Sequence, residues 1–320
     1  MMASKSKNTA MKRIQQYIAI LTMAIVLPTV VMGQQDPEYS QYMFNGLAYN
    51  PAYAGSREAL SGTLLLRKQW VQLPGAPFTG SASIHGPSRN DRHGFGFSFV
   101  HDRLGITRQN YVYGSYAFRF PLGPGKLALG LQGGLINFQN RYSDVVTINP
   151  DQINPGVNLT AWLPSVGTGA YFSTQKFYAG FAVPNLLAGE YFRYKNSSTQ
   201  QIASAQKLHY FGTMGVVLPL GDNVAFRPSL VAKWVKNSPL EFDFNASFLF
   251  KERLWLGAGY RTGDALIFML EYFTRGGLRV GYAYDYTLTQ LRKVNTGTHE
   301  IMLGFDLAPK KTKIITPRYF

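Results

Sequence analysis

A transmembrane antiparallel β-barrel of about fourteen strands is the fold this sequence predicts, on three observations. The first is strict alternation: Leu278, Val280, Tyr282, Tyr284, Tyr286 and Leu288 fall on one face of an extended chain, with Arg279, Gly281, Ala283, Asp285 and Thr287 on the other. Leu240, Phe242, Phe244, Ala246, Phe248 and Phe250 repeat the pattern against Glu241, Asp243, Asn245 and Ser247. The second is composition: 320 residues are 46% apolar and 14% aromatic but only 15% charged, against about a quarter charged in soluble domains, so much of the surface faces something other than water. The third is an export signal followed by no apolar run of the ~18 residues a spanning helix needs. Mean hydropathy is −0.10, because alternation hides the apolar face from averages, and a chain with these properties crosses a membrane by strands.

The elements follow in order. Lys5, Lys7, Lys12 and Arg13, without an acid, precede an apolar stretch at 18–32 that ends Val31-Met32-Gly33. This predicts a signal peptide over 1–33, cleaved after Gly33. The chain has no cysteine, which excludes lipid attachment at the cleavage site, disulfides and thiolate metal centres. The formal charge is +15, and loss of 1–33 leaves 28 basic and 17 acidic residues, a net +11. In an exported barrel that charge suits lipid phosphates or an acidic protein surface rather than nucleic acid.

Residues 34–58, rich in Tyr, Asn, Pro and Gly without a period, form an irregular N-terminal segment, read as either a plug or a periplasmic docking element. The barrel is expected over 59–308, with strands at 59–70, 78–86, 93–103, 108–120, 126–139, 165–174, 176–184, 207–219, 223–236, 239–251, 253–262, 264–273, 277–289 and 298–308. Most approach the ~9–11 residues of a tilted spanning strand. With an even strand number and both termini periplasmic, connections alternate between outer loops and inner turns. The three longest, 140–164, 185–206 and 290–297, all fall on the outer side, while Leu220-Gly221-Asp222, Lys251-Glu252 and Thr274-Arg275-Gly276 are inner turns. A soluble sandwich has no reason to sort loop lengths by parity.

Glycines such as Gly94, Gly96, Gly130, Gly257, Gly259 and Gly281 lie opposite the aromatics, where small residues permit curvature and leave interior room. Tyr111, Tyr113, Trp162, Tyr171, Trp234, Trp255, Tyr260 and Tyr272 suit interfacial belts and lipid-facing packing. Catalytic candidates are poor. His101 and Asp102 are adjacent in a strand and so point to opposite faces. His85, His93, His209 and His299 lack ligand spacing, and 257–263 is glycine-rich without the spacing or following helix of a dinucleotide loop. No enzyme activity, cofactor or metal is expected. The tail at 309–320, with Lys310, Lys311, Lys313 and Arg318, extends past the last strand as a basic periplasmic extension.

Several blocks resemble one family in order along the chain: DPEYSQYMFNGLAYNPAYAGS at 36–56, LRKQWVQLPGAPFTGSASIHGP at 66–87, PSLVAKW at 228–234, FNASFLFKERLWLGAGYRTGDAL at 244–266, VGYAYDY at 280–286, HEIMLGF at 299–305 and the closing PRYF. They are similar to the PorP/SprF outer-membrane proteins of the type IX secretion system of the Bacteroidota. The resemblance implies a non-enzymatic barrel. Its partners would be an OmpA-like peptidoglycan-binding lipoprotein and periplasmic ring proteins, or a large secreted adhesin with a type B C-terminal domain, in some species serving gliding. Val71 and Gln72 depart from the family's small residue and glycine after Gln-Trp. Partner docking is expected at Asp36, Pro37, Tyr42, Phe44, Asn50, Pro51 and Trp70 and at the four basic tail residues. A channel for small solutes is the alternative.

Overall fold

The computed structural model describes residues 37–144, 158–187, 205–236 and 238–307, together with short strand pieces between 189 and 202. The predicted signal peptide, Asp36 and the basic tail lie outside the described residues. Fourteen strands form one antiparallel sheet: β1 (Leu60–Lys68), β2 (Phe78–Pro87), β3 (His93–Leu104), β4 (Thr107–Leu122), β5 (Gly125–Asn140), β6 (Leu159–Ser173), β7 (Phe177–Val183), β8 (His209–Val216), β9 (Val224–Val235), β10 (Glu241–Phe250), β11 (Leu254–Arg261), β12 (Ala265–Phe273), β13 (Leu278–Thr287) and β14 (Thr298–Leu307). Each pairs with its neighbour, and β14 pairs with β1 from Leu60↔Leu307 to Lys68↔His299, which closes the barrel and leaves no edge.

Strand positions match the expectation closely, with one exception. β6 begins at Leu159 rather than 165, because Pro164, which has no N–H for a ladder and ordinarily interrupts a strand, is carried within it opposite Leu135. The loop before it shortens to 141–158 accordingly. The four longest connections, 69–77, 141–158, 184–208 and 288–297, leave the same end of the barrel. The opposite end carries turns such as 123–124, 251–253 and 274–277, and Gly221 supplies the left-handed backbone (φ 81°) that the turn after β8 requires. We refer to these as the long-loop end and the short-turn end. β4 and β5, at 16 residues each, exceed a bilayer crossing. The inward cluster of Tyr111, Ile136, Phe138, Ala161 and Leu163 braces their long-loop ends against β6.

Alternation decides which residues face outward. Along β13, Leu278, Val280 and Tyr286 are exposed while Arg279, Gly281, Ala283, Asp285 and Thr287 are buried. The exposed set across the sheet includes Phe95, Phe97, Leu131, Phe181, Phe244, Phe268 and Ile301, a continuous apolar exterior that only lipid can cover. No helix among the described residues is long and apolar enough to cross a membrane; the strands cross it.

Candidate functional site

The chemistry of this molecule is concentrated inside the barrel. Residues 37–58 run through the lumen as three one-turn 3-10 helices, Tyr42–Phe44, Gly46–Ala48 and Pro51–Tyr53, joined by tight turns. Asn50 caps the third by accepting from the Ala52 N–H (2.9 Å), and its amide donates to the Ala170 carbonyl of β6 (2.9 Å). Pro51, at the first helical position, costs no hydrogen bond there.

The segment fits because the wall beside it is glycine. A Cβ on Gly130 would lie 2.1 Å from the Ala52 nitrogen, on Gly94 2.0 Å from the Ala54 carbonyl oxygen, on Gly169 2.2 Å from the Asn50 side chain, and on Gly281 2.2 Å from the Gln41 side chain. Of the glycines read from sequence as leaving interior room, Gly94 and Gly130 thus mark where the segment's backbone lies against the sheet and Gly96 and Gly281 where its side chains do, while Gly257 and Gly259 meet neighbouring strands.

Polar contacts hold the segment at both ends. At the long-loop end, Arg67 of β1 donates to Asp285 (2.8 Å) and Glu300 (3.1 Å) and to the Ser40 hydroxyl (2.7 Å). The backbone N–H groups of Ser40 and Gln41 donate to the two oxygens of Glu300 (2.9 and 2.8 Å). Glu38 lies 3.3 Å from Lys233 and 3.6 Å from Arg261, which also contact Glu241, Asp243 and Asp264. Arg67, Asp285 and Glu300 are all within 3% of full burial. Charges this deep persist only where each has paired or hydrogen-bonded partners. At the short-turn end, Arg57 grips Asp306 with two bonds (3.1 and 2.8 Å), Asp306 also accepts from Ser61 (2.6 Å), and Lys126 meets Glu58 at 2.6 Å. His85 accepts from the Gly55 N–H (3.0 Å), and Arg119 donates to the Gly55 carbonyl.

Between these clamps the contacts are aromatic. Tyr42 bonds Ser229 and Asn245 through its hydroxyl (3.1 and 3.0 Å). Tyr49 packs on Phe211 and accepts from the Tyr39 N–H (2.8 Å). Phe44 and Trp255 sandwich the Arg227 guanidinium, 4.7 and 4.0 Å from the two ring centres.

The expected docking residues therefore separate. Pro37 is half-buried at the long-loop end of the segment. Tyr42, Phe44, Asn50 and Pro51 are buried among wall side chains, so they dock the segment to its own barrel and offer no surface to another protein. The periplasmic-extension reading of 34–58 is corrected for its described part on the same ground. Trp70 lies in the 69–77 loop at the long-loop end with φ 42°, its N–H donating to Thr298 (3.2 Å), while neighbouring Val71 exchanges backbone bonds with Thr296 and Gly297. Asp36, Lys310, Lys311, Lys313 and Arg318 lie outside the described residues. The interfacial-aromatic set also divides. Trp162, Trp234, Tyr260 and Tyr272 face outward, but Tyr111, Tyr171 and Trp255 are buried inward, the last two against the lumen segment. His101 and Asp102 engage separate neighbours, Asn110 (2.7 Å) and Thr79 (2.6 Å).

Sequence reasoning missed Glu38, Ser40, Gln41, Arg67, Asp285, Glu300, Arg57 and Asp306. For Arg67, Asp285, Glu300 and Asp306 the signal was the recurrence of ionisable residues on strand faces opposite the aromatics; for Glu38, Ser40, Gln41 and Arg57, in the irregular segment, no periodic signal exists.

Fold and lumen define an integral outer-membrane barrel whose interior is occupied by its own chain. The family model described as type IX secretion system membrane protein PorP/SprF matches residues 31–305, and the chain belongs to that family: it is an outer-membrane component of the type IX secretion system. Among solved structures, the Acinetobacter baumannii outer membrane protein Omp33 aligns at 10% identity over 79% of this chain and 99% of its own (TM-score 0.43), and a Pseudomonas aeruginosa FadL homologue at 11% over 86% and 95% (TM-score 0.41). A Rh. blastica porin mutant aligns at 10% over 78% and 99% (TM-score 0.36). No curated protein matches the chain in sequence.

Proposed function

We propose that this protein is a non-enzymatic, non-conducting scaffold of the type IX system, in which residues 37–58 plug the lumen and the long-loop end holds a secreted partner. The observation that carries this reading is the occupied interior, clamped at both ends by buried charge and closed in the middle by ring packing. A solute channel needs a continuous aqueous path, and the cavity between the segment and the wall at Tyr42, Tyr49, Tyr171 and Thr213 holds about 30 Å³, room for about one water.

The partner at the long-loop end is a large adhesin with a type B C-terminal domain, seated on the connections 69–77, 141–158, 184–208 and 288–297 and on the raised wall of β4 and β5. The basic tail, with Lys310, Lys311, Lys313 and Arg318, faces the periplasm and meets the OmpA-like lipoprotein or the ring proteins. Two experiments test this. Purified protein in planar bilayers is expected to be silent, and steady unitary currents from the unmodified protein would replace the scaffold with a channel. Mild-detergent pull-down from outer membranes is expected to retain the adhesin, and retention of periplasmic components alone would move the protein to the core apparatus.

A further inference from the structure

The direction in which the lumen segment runs has a topological consequence. β1 starts at the short-turn end, and the segment joins it there: Arg57 meets Asp306, the penultimate residue of β14, and Glu58 meets Lys126 at the start of β5. Followed backwards, the chain climbs. Gly55 is held by His85, near the short-turn end of β2, and Tyr42 sits on Ser229 and Asn245 at mid-strand. Ser40 reaches Asp285, Glu300 and Arg67, each within two residues of the long-loop end of its strand. Glu38 reaches Arg261, the last residue of β11, which itself touches Asp264 in the following long-loop connection. The segment therefore traverses the barrel from one mouth to the other, and its earliest described residues stand at the mouth opposite the one where it joins the sheet.

Pro37, the first described residue, is followed by Glu38 at the long-loop mouth. A return pass through the lumen would need space for a second backbone beside residues 38–55, where wall glycines already touch the first and the cavity at Tyr42, Tyr49 and Thr213 is water-sized; a larger cavity, about 340 Å³, lies at the short-turn mouth beside Ser56, Arg57 and Glu58. Because membrane barrels place long loops outside the cell and short turns in the periplasm, we propose that the chain preceding Pro37 emerges at the cell surface among the long loops, in place of the periplasmic N-terminus that an even strand count suggests. The barrel then closes around residues 38–58 during assembly, and the few residues ahead of Pro37 are presented at the mouth where an extracellular protein partner would sit. The inference stands whatever the identity of the secretion cargo.

The cysteine-free sequence gives a clean test. Single-cysteine variants Gln35→Cys and Pro37→Cys are compared with Ser143→Cys and Arg292→Cys at the long-loop end and with Gly123→Cys and Asp222→Cys in short turns. Each is treated with a membrane-impermeant maleimide on intact cells and again after outer-membrane permeabilisation, and heat-modifiability on gels verifies folding. The expected result is labelling of Gln35→Cys on intact cells to the extent seen at Ser143 and Arg292, with Gly123 and Asp222 labelled only after permeabilisation. Labelling of Gln35→Cys only after permeabilisation, alongside Gly123 and Asp222, overturns the proposal. Should Pro37→Cys be shielded by its neighbours, a flexible Gly-Ser insert carrying the cysteine ahead of Asp36 gives the same two-way answer.

Discussion

A methyl group added at Gly130 tests whether residues 37–58 share one packed structure with the wall. The new Cβ would lie 2.1 Å from the Ala52 nitrogen, 2.4 Å from its Cα and 2.5 Å from the Pro51 carbonyl carbon, roughly 1 Å or more inside ordinary van der Waals contact. All three obstacles are backbone, so no side-chain rotation relieves the clash. The third 3-10 turn, held by Asn50 to Ala170 and flanked by Gly169, has to shift as a unit. Overpacking of this kind costs about 1–3 kcal/mol, and a few degrees of midpoint shift per kcal/mol is the order expected for a domain of this size. Gly133→Ala is the matched control: it lies on the same strand, is exposed to lipid, and its Cβ would meet nothing within 4 Å. The assay is the temperature at which the fast-migrating folded band converts to the slow unfolded band, with planar-bilayer recording alongside. Gly130→Ala should convert several degrees lower and show intermittent openings, whereas Gly133→Ala should match the parent. Identical behaviour of the two variants would refute the packed-lumen account.

Other perturbations follow from the same geometry. Arg57→Met leaves Asp306, a carboxylate only 7% exposed, with Arg279 at 3.4 Å and the Ser61 hydroxyl as its remaining partners, and is expected to lower stability by about 1.5–3 kcal/mol; adding Asp306→Asn should recover part of that loss, since the two sites are coupled, and simple additivity in a double-mutant cycle would contradict the clamp. Arg67→Met removes the cation shared by Asp285, Glu300 and Ser40, so heat conversion should fall further than for surface variants such as Lys251→Met. Phe268→Arg places a charge on the lipid face of β12, where Phe268 is 52% exposed, at a cost of about 2–4 kcal/mol near mid-bilayer, whereas Phe268→Leu should be nearly neutral; equal effects would argue against lipid contact. Trp255→Leu withdraws one face of the Arg227 sandwich and should cost more than the about 0.5–2 kcal/mol of the cation–π contact alone, because packing on Phe44 goes with it; heat conversion again reads the loss.

How far the sequence reveals this molecule depends on whether the physics is local. Strand existence, parity of loops and the lipid-facing set follow from period-two alternation, which each strand displays within its own ten residues, so Phe244, Phe248 and Val280 face outward as read. Aromatic identity alone cannot separate Trp234, which meets lipid, from Trp255, which meets Arg227, because both stand near strand ends. The lumen segment was visible as a piece of irregular chain and its glycine cradle as a row of small residues, but the match between them joins Gln41 to Glu300 and Ser40 to Asp285, partners about 250 positions apart. No local periodicity encodes a contact of that separation. The intrinsic preference of Pro164 against a strand interior is overridden by the paired neighbours of β6, which carry it opposite Leu135.

The interior charges also answer a question that alternation leaves open. A slip of one residue between neighbouring strands would turn every lipid-facing side chain inward and is forbidden by burial, but a slip of two restores the pattern and leaves the apolar exterior unchanged. Something inside must distinguish the correct register. At the closing seam Arg67 stands directly opposite Glu300 and Ser61 opposite Asp306, and a two-residue slip would set Arg67 against Thr298 or Met302 and leave buried charge unpaired. Lys233 against Glu241 and Asp243 against Arg261 fix the neighbouring β9–β10 and β10–β11 pairs in the same way. The lumen segment ties these pairs together, since Ser40 bonds Arg67 of β1 and Asp285 of β13 while Arg57 bonds Asp306 of β14. A segment that contacts the first strand and the last two at both ends of the seam holds the closed register in place. The facing acidic and basic residues of the wall, Arg67 with Glu300, Lys233 with Glu241 and Asp243 with Arg261, specify a register that greasy faces alone would leave degenerate.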